Sequence, residues 1–394
     1  MEENRSIYLD YSATTPIDER VIEAMLPYWK ENWGNPSSAH QFGQAAKLGL
    51  ETARRTIASL LKAKTSEIVF TGSGSEADNL ALRGTMLKAA EDGRGNHFII
   101  SAIEHEAILN TAKQLVDRLG FECTFLPVNR FGQVELDQFE AAIRPETVLA
   151  SIMTANNEIG SIQPIEAIGN ICRQHSVLFH TDAVQAAQYI DWKLDEMPVD
   201  LLSMAPHKFY GPKGVGIMYV RSGTPIISTM TGGGQEDGHR AGTVNVPFAV
   251  GAAKALELAI EQREQICAHT LQLRDRLITG VLKLFSSDEV QLTGHPVERL
   301  PSHASFAFKD IPGGDLVMHL DLAGIAASSG SACSSGNPIP SPVLQAIGLD
   351  SHWNAGGLRL TVGKHSTEEE IDRFLEILPK AVESLRNFSA ILFG

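Results

Sequence analysis

Cysteine is scarce in this 394-residue chain: Cys123, Cys172, Cys267 and Cys333 stand 49, 95 and 66 positions apart. With no CxxC pair, neither a structural zinc site nor a disulfide framework is expected, and the thiols read as reduced. Basic residues are outnumbered, 33 Lys and Arg against 47 Asp and Glu, for a formal charge of −14. A protein of that sign repels phosphate backbones, which argues against nucleic acid as a partner. Long apolar runs are missing too. The longest charge-free stretch, Leu322 to Leu349, is broken by Gly, Pro and Ser, so it reads as a loop region and no membrane span is expected. The opening MEENRSIYLD lacks the apolar core of a signal peptide, which makes a cytoplasmic address the expectation.

What is present is ordinary for a globular protein, 43% hydrophobic and 20% charged. The length exceeds what one hydrophobic core supports. From Ser66 to Val220, short apolar runs alternate with amphipathic stretches. EIVF (67–70), HFII (97–100), ECTFL (122–126), TVLASIM (147–153), SVLFH (176–180), VDLLSM (199–204) and VGIMYV (215–220) read as seven strands. Helical patterns lie between several of them, at Ser75–Ala90, Ala107–Leu119 and Ile165–His175. That alternation implies an α/β fold with a mostly parallel sheet covered on both faces. A Pro-free periodic segment over Ala249–Leu284 reads as one or two long helices. Strand-like VQLTG (290–294) and SHASFAF (302–308), a helix near Gly314–Ala323 and a Glu-rich helix from Thr367 suggest a smaller α+β domain. The expected division is 15–255 for the large domain, with 1–14 and 256–394 forming the small one.

In an open parallel sheet, ligands bind beyond the carboxyl ends of the strands. After EIVF comes TGSGSEADNLAL, where Ser75 and Asp78 have the spacing of a capping box. A Gly-rich turn at a helix start suits a phosphate, and equally suits an ordinary capped turn. After SVLFH comes Asp182, and after VDLLSM comes Lys208, 26 residues further on. A lysine bracketed by apolar strands is a natural Schiff-base former. An anion cradle, a carboxylate and such a lysine are the three groups that pyridoxal phosphate needs. His269, His295 and His319 lack ligand spacing, so no metal site is expected.

The segments NPSSAHQFG (35–43), EHEA (104–107), NNEIG (156–160), TDAVQ (181–185), HKFYGPKGVG (207–216), AGTVNVP (241–247), SSGSACSSG (328–336) and LRLTVGKHSTEEEID (358–372) resemble the cysteine desulfurases. These are pyridoxal-phosphate enzymes of the class V aminotransferase family, with the type I fold of such enzymes. The resemblance runs from Tyr8 almost to the C-terminus, and its most specific pieces are HKFYGPKG and SSGSAC. It implies that Lys208 holds the cofactor covalently, that Asp182 pairs with its ring nitrogen, and that His105 stacks on the ring and serves catalysis. Asn157 and Gln185 would bond the ring oxygen, with Asn157 also near the substrate. Gly74, Ser75 and His207 would bind phosphate, with Thr243 supplied from the other subunit of a homodimer. Arg359 would fork onto the substrate carboxylate, and Asn35 and His40 would lie near the entrance.

The resemblance further implies that Cys333 is the nucleophile. Its thiolate would take the sulfur of L-cysteine as a persulfide, release L-alanine and pass the sulfur to an acceptor such as an iron–sulfur scaffold. Ten positions from Cys333 to Val343 resemble the longer-loop members associated with iron–sulfur assembly. Cys123, Cys172 and Cys267, set in strand or helix patterns, read as structural. Two departures from the family pattern stand out. Ala205-Pro206 replaces the usual Ser-Gly/Ala before His-Lys, which removes a hydroxyl and a backbone donor and shifts the phosphate cup onto Ser75, His207 and Thr243, or onto Ser203. Gly72-Ser73-Gly74-Ser75 replaces Ser-Gly-Ala-Thr and still offers a hydroxyl. Alternatives on the same fold are a selenocysteine lyase, a cystine lyase or a transaminase, the last of which has no need of Cys333. A non-catalytic scaffold protein of this fold would be expected to lack these reactive residues.

Overall fold

The computed structural model describes residues 6–330 and 340–393, with side chains to Asn387. A short strand, β1 (Ile7–Tyr8), precedes the large sheet. That sheet comprises β2 (Ile68–Thr71), β3 (His97–Ser101), β4 (Glu122–Leu126), β5 (Thr147–Ser151), β6 (Leu178–Asp182), β7 (Leu201–Met204) and β8 (Gly216–Val220). Its spatial order is β2-β8-β7-β6-β5-β3-β4, and β8 alone runs against its neighbours. The other six strands therefore end on one edge. β3, β5, β7 and β8 are buried at every position, as expected of strands covered on both faces.

One face of the sheet packs on a core that includes Ile57, Phe179, Leu202, Met204 and Leu256, the other on one that includes Leu80, Met86, Phe98 and Met218. The segment expected to be helical over 75–90 runs as Gly74–Asn79, a wider turn of helix over Leu80–Gly84, and Thr85–Glu91. The long periodic segment resolves into two helices, Val246–Glu261 and Arg263–Leu284. Leu256, Leu258 and Ala259 of the first pack into the larger core, whereas Leu273, Leu277 and Val281 of the second pack into another.

A three-stranded antiparallel sheet carries the second unit: β9 (Val290–Leu292), β10 (His303–Phe308) and, after the two-residue β11 (Ile325–Ala326), β12 (Gly357–Thr361). Its core joins Ile7 and Leu9 to Leu277, Phe306, Leu358 and Phe374, and β1 pairs with β11. The N-terminal segment thereby leaves the small sheet and passes to the edge of the large one, where Thr15 N–H donates to His207 O at 2.9 Å. Among the described residues no helix is long and apolar enough to cross a membrane.

Candidate active site

Five strand ends converge on one cavity of about 370 Å³. The turn after β2 supplies Ser73, Gly74 and Ser75, and the one after β3 supplies His105. The turn after β5 supplies Met153 and Asn157, the end of β6 Asp182 and Gln185, and the turn after β7 Ala205, His207 and Lys208. Ser12, Ser328 and Arg359 close it from the side of the second unit.

The β2 turn is capped two residues earlier than the spacing suggested. Ser73, in extended backbone, accepts from Glu76 N–H at 3.1 Å, while Glu76 Oε2 accepts from Gly72 N–H at 2.8 Å. Helix therefore begins at Gly74, Ser75 is free to face the cavity, and Asp78 turns inward. A Cβ at Gly74 would fit tightly, 3.0 Å from Val184 Cγ2 and 3.2 Å from Ala205 Cβ. First-turn amides of a helix favour an anion at that spot.

Lys208 Nζ donates to the carbonyls of Ser12 at 2.5 Å and Ala13 at 2.8 Å. Burial, with Arg359 adding to it, pulls this amine down to about 8. His207 is held down to about 4 by burial and by Lys208, so it is a neutral imidazole whose Nδ1 lies 3.2 Å from Thr14 Oγ1. His105 is both a cap and a cavity wall: its Nδ1 accepts from Ala107 N–H at 3.1 Å. Gln185 donates to Ser12 O at 3.0 Å. Arg359, on β12, reaches back with Nη1 to Asn157 O at 3.0 Å and Nη2 to Asp10 Oδ1 at 2.7 Å, leaving Nε buried and unpartnered.

Below this surface lies an acid cluster that sequence reading missed. Asp182 accepts from Val184 N–H at 2.8 Å. Burial drives it upward, while His105 and Lys208 oppose that. Burial and the neighbouring Asp182 carboxyl push Asp78 well above the usual carboxylate range. Behind them His180, held down to about 3 by burial, links Ser151 Oγ at 2.8 Å to Ser203 Oγ at 3.0 Å, with Asp78 Oδ1 3.8 Å away. Glu104 accepts from Ser101 Oγ at 2.6 Å and Met153 N–H at 2.9 Å, and burial pushes it up to about 8. The available signal was an acid next to a turn motif, which does not tell a surface cap from a buried carboxyl.

Several expected residues stand elsewhere. Ser203 is fully buried and its hydroxyl serves His180, because in the β6–β7 register it lies beside Asp182 within the sheet; it does not line the cavity. Asn35 and His40 are exposed and occupied locally, Asn35 Oδ1 by Ser37 N–H and His40 Nδ1 by Gly43 N–H, and neither borders this cavity in its own chain. Thr243 is exposed as well. Their neighbours Pro36, Ser37 and Val244 line a separate hollow of about 460 Å³ beside Arg54 and Glu236. Cys333 lies outside the described residues. Of the other thiols, Cys172 is buried and Cys123 and Cys267 half-buried, and burial raises all three, Cys123 to about 12.

The donor set fits pyridoxal phosphate. The turn after β2 brings Gly74 and Ser75 to the cavity at the start of a helix, where a phosphate is favoured, Asp182 is a buried carboxyl beside it that suits a ring nitrogen, and the Lys208 amine is largely desolvated. A model of the family described as aminotransferase class-V matches residues 7–374. A Methanosarcina thermophila protein named cysteine desulfurase IscS is 46% identical over 389 residues, covering 99% of this chain and 95% of its own. Its Dictyoglomus turgidum namesake is 44% identical over 385 residues, covering 98% and 96%. Among solved structures, a NifS-like protein superposes with a TM-score of 0.89 at 38% identity, covering 96% of this chain and all of its own. SspA in complex with cysteine gives 0.80 at 34%, covering 92% and 100%.

Proposed function

The chain belongs to the aminotransferase class-V family and is a pyridoxal-phosphate-dependent cysteine desulfurase, and from that premise we propose how its residues divide the reaction. L-Cysteine is the substrate, and its sulfur passes to an acceptor protein. When bound, the cofactor supplies an electron sink for the pair left on the substrate once its α-proton is removed. Lys208 carries the cofactor and, when released, moves the α-proton at Nζ; an amine titrating at about 8 suits that task. Asp182 would hold the ring nitrogen protonated, His105 would stack on the ring, and Asn157 and Gln185 would bond its oxygen. Gly74, Ser75 and His207 take the phosphate. Arg359 presents its guanidinium to the substrate carboxylate.

Cys333 receives the sulfur. Its thiolate attacks the substrate sulfur, an Sγ–S bond forms, and the substrate C–S bond breaks with its electron pair left on carbon. Protonation of that carbon releases L-alanine. L-Cysteine and one thiol thus become L-alanine and one persulfide, with no outside oxidant.

This reading includes a cytoplasmic homodimer that supplies iron–sulfur assembly. Supporting it are the spacing from Cys333 to Val343 and the surface position of Asn35, His40 and Thr243, which need a second copy to reach a site. The observation that carries the whole is the meeting of a desolvated Lys208 amine, buried Asp182 and Arg359 around one cavity. The test is product analysis with L-cysteine and a reductant. Equimolar alanine and sulfide support it; pyruvate in place of alanine would make the protein a lyase of the same fold.

A further inference from the structure

Arg359 meets the cavity with its charge already paired. Its side chain is 8% exposed, and Nη2 donates to Asp10 Oδ1 at 2.7 Å while Nη1 donates to Asn157 O at 3.0 Å. Nε is buried without a partner among the described residues. Two of the five guanidinium donors are thus committed, and the plane of the fork is set before any ligand arrives. Another acid that feels this charge, Glu158, is engaged by Ser341 Oγ at 2.7 Å, whereas the Asp10 carboxylate is bonded to the guanidinium itself.

Asp10 is held in place independently of Arg359. Tyr8 Oη donates to Asp10 O and to Thr14 O, both at 3.0 Å. Thr361, two positions along β12 from Arg359 and on the same face, forms a bridge with Asp10. The Thr361 N–H donates to Leu9 O at 2.8 Å, and its Oγ1 accepts from Ser12 N–H at 2.9 Å. Ser12 O in turn accepts from Lys208 Nζ and Gln185 Nε2. One short segment therefore fixes Arg359 through Asp10 and the Lys208 amine through Ser12. The charges balance as well: the guanidinium lowers Lys208 and the Asp10 carboxylate raises it.

We infer that Asp10 is a positioning residue for substrate recognition, its carboxylate holding the Arg359 guanidinium in the orientation that leaves donors open to the substrate carboxylate. The inference rests on the reading of Arg359 as the ligand of that carboxylate. Without Asp10 the long side chain keeps its rotamer freedom until substrate binds, and the ordering cost then falls on binding.

The test uses holoenzyme and two ligands that differ only in the carboxylate, L-alanine and ethylamine, each titrated against the cofactor absorbance. Asp10→Ala should raise the Kd of L-alanine and the KM for L-cysteine about 5- to 30-fold, with the Kd of ethylamine and kcat unchanged. Asp10→Asn, which keeps an oxygen for Nη2, should recover most of the affinity. Arg359→Ala should also weaken L-alanine alone, and adding Asp10→Ala to it should change nothing further. An unaltered or tighter L-alanine Kd in Asp10→Ala overturns the inference, the tighter one by making Asp10 a competitor of the substrate. Equal loss of both ligands overturns it too and makes Asp10 a brace of the fold, as does a further loss when Asp10→Ala is added to Arg359→Ala. Unaltered L-alanine binding in Arg359→Ala overturns the carboxylate-ligand reading, whereas a selective loss there beside an unaltered Asp10→Ala overturns the positioning role alone.

Discussion

Where β3, β5 and β6 end, Asp78, Glu104, Asp182 and His180 lie buried within or just behind one cavity. The sheet β9-β10-β12 rests instead on Phe306, Phe308, Phe374 and Leu378, all fully buried. Apolar packing of the second kind stabilises a fold with little to satisfy, although β10 also buries His303 with Nε2 unpartnered among the described residues. Burying ionisable groups costs stability, and the large sheet bears that cost along the edge where its parallel strands all end. Arg359 joins the two, a β12 residue whose side chain leaves its own sheet to reach Asp10 and Asn157. Chemistry is thus concentrated on one edge, while the second unit contributes one charge and a rigid backing.

Substitutions on the two sides should separate activity from stability. Lys208→Ala should lower alanine release by about 10²–10⁴-fold and abolish covalent cofactor attachment, read by borohydride reduction and mass spectrometry, while the melting temperature of the apoprotein holds or rises. Phe306→Ala should do the reverse, costing about 3–5 kcal/mol in urea unfolding with kcat per folded molecule unchanged. Arg359→Lys tests the bridge between the units: KM for L-cysteine should rise about 10- to 100-fold because the planar fork is lost, with cofactor absorbance unaltered.

A further difference is expected in pH dependence. Glu104 is pushed from 4.5 to about 8, so the native state keeps a proton that the unfolded chain gives up above 4.5. Its contribution to stability is complete below pH 4.5 and is lost as pH rises through 8. Lys208 runs the other way. Pulled from 10.5 down to about 8, it leaves the unfolded chain with the extra proton between those values, so stability rises with pH across that window. Denaturant midpoints of the apoprotein at pH 5, 8 and 10 should trace the minimum these groups produce. Glu104→Gln should flatten its acid limb and Lys208→Met its alkaline one; unaltered limbs would mean these groups titrate normally.

Much of the site was legible because its residues follow strand ends directly. Asp182, Lys208 and His105 stand within a few positions of an apolar run, and the one-edge rule for parallel strands then brings them together. The Ser73 cap was missed by two residues because Gly-Ser-Gly-Ser offers two equivalent hydroxyls and only the backbone decides between them. Ser203 looked available for phosphate because alternation along β7 does not reveal His180 on the neighbouring strand. Asp78 and Glu104 were unreadable as buried acids for the same reason: what buries them comes from strands far away in sequence.

The most direct test of the central claim is mass spectrometry of the protein after one turnover with L-cysteine, comparing wild type with Cys333→Ala. The expected result is one added sulfur on the Cys333 peptide of the wild type, and in the variant neither that mass nor alanine release, with cofactor absorbance retained. Added sulfur on Cys123, Cys172 or Cys267, or full alanine release from Cys333→Ala, would contradict it.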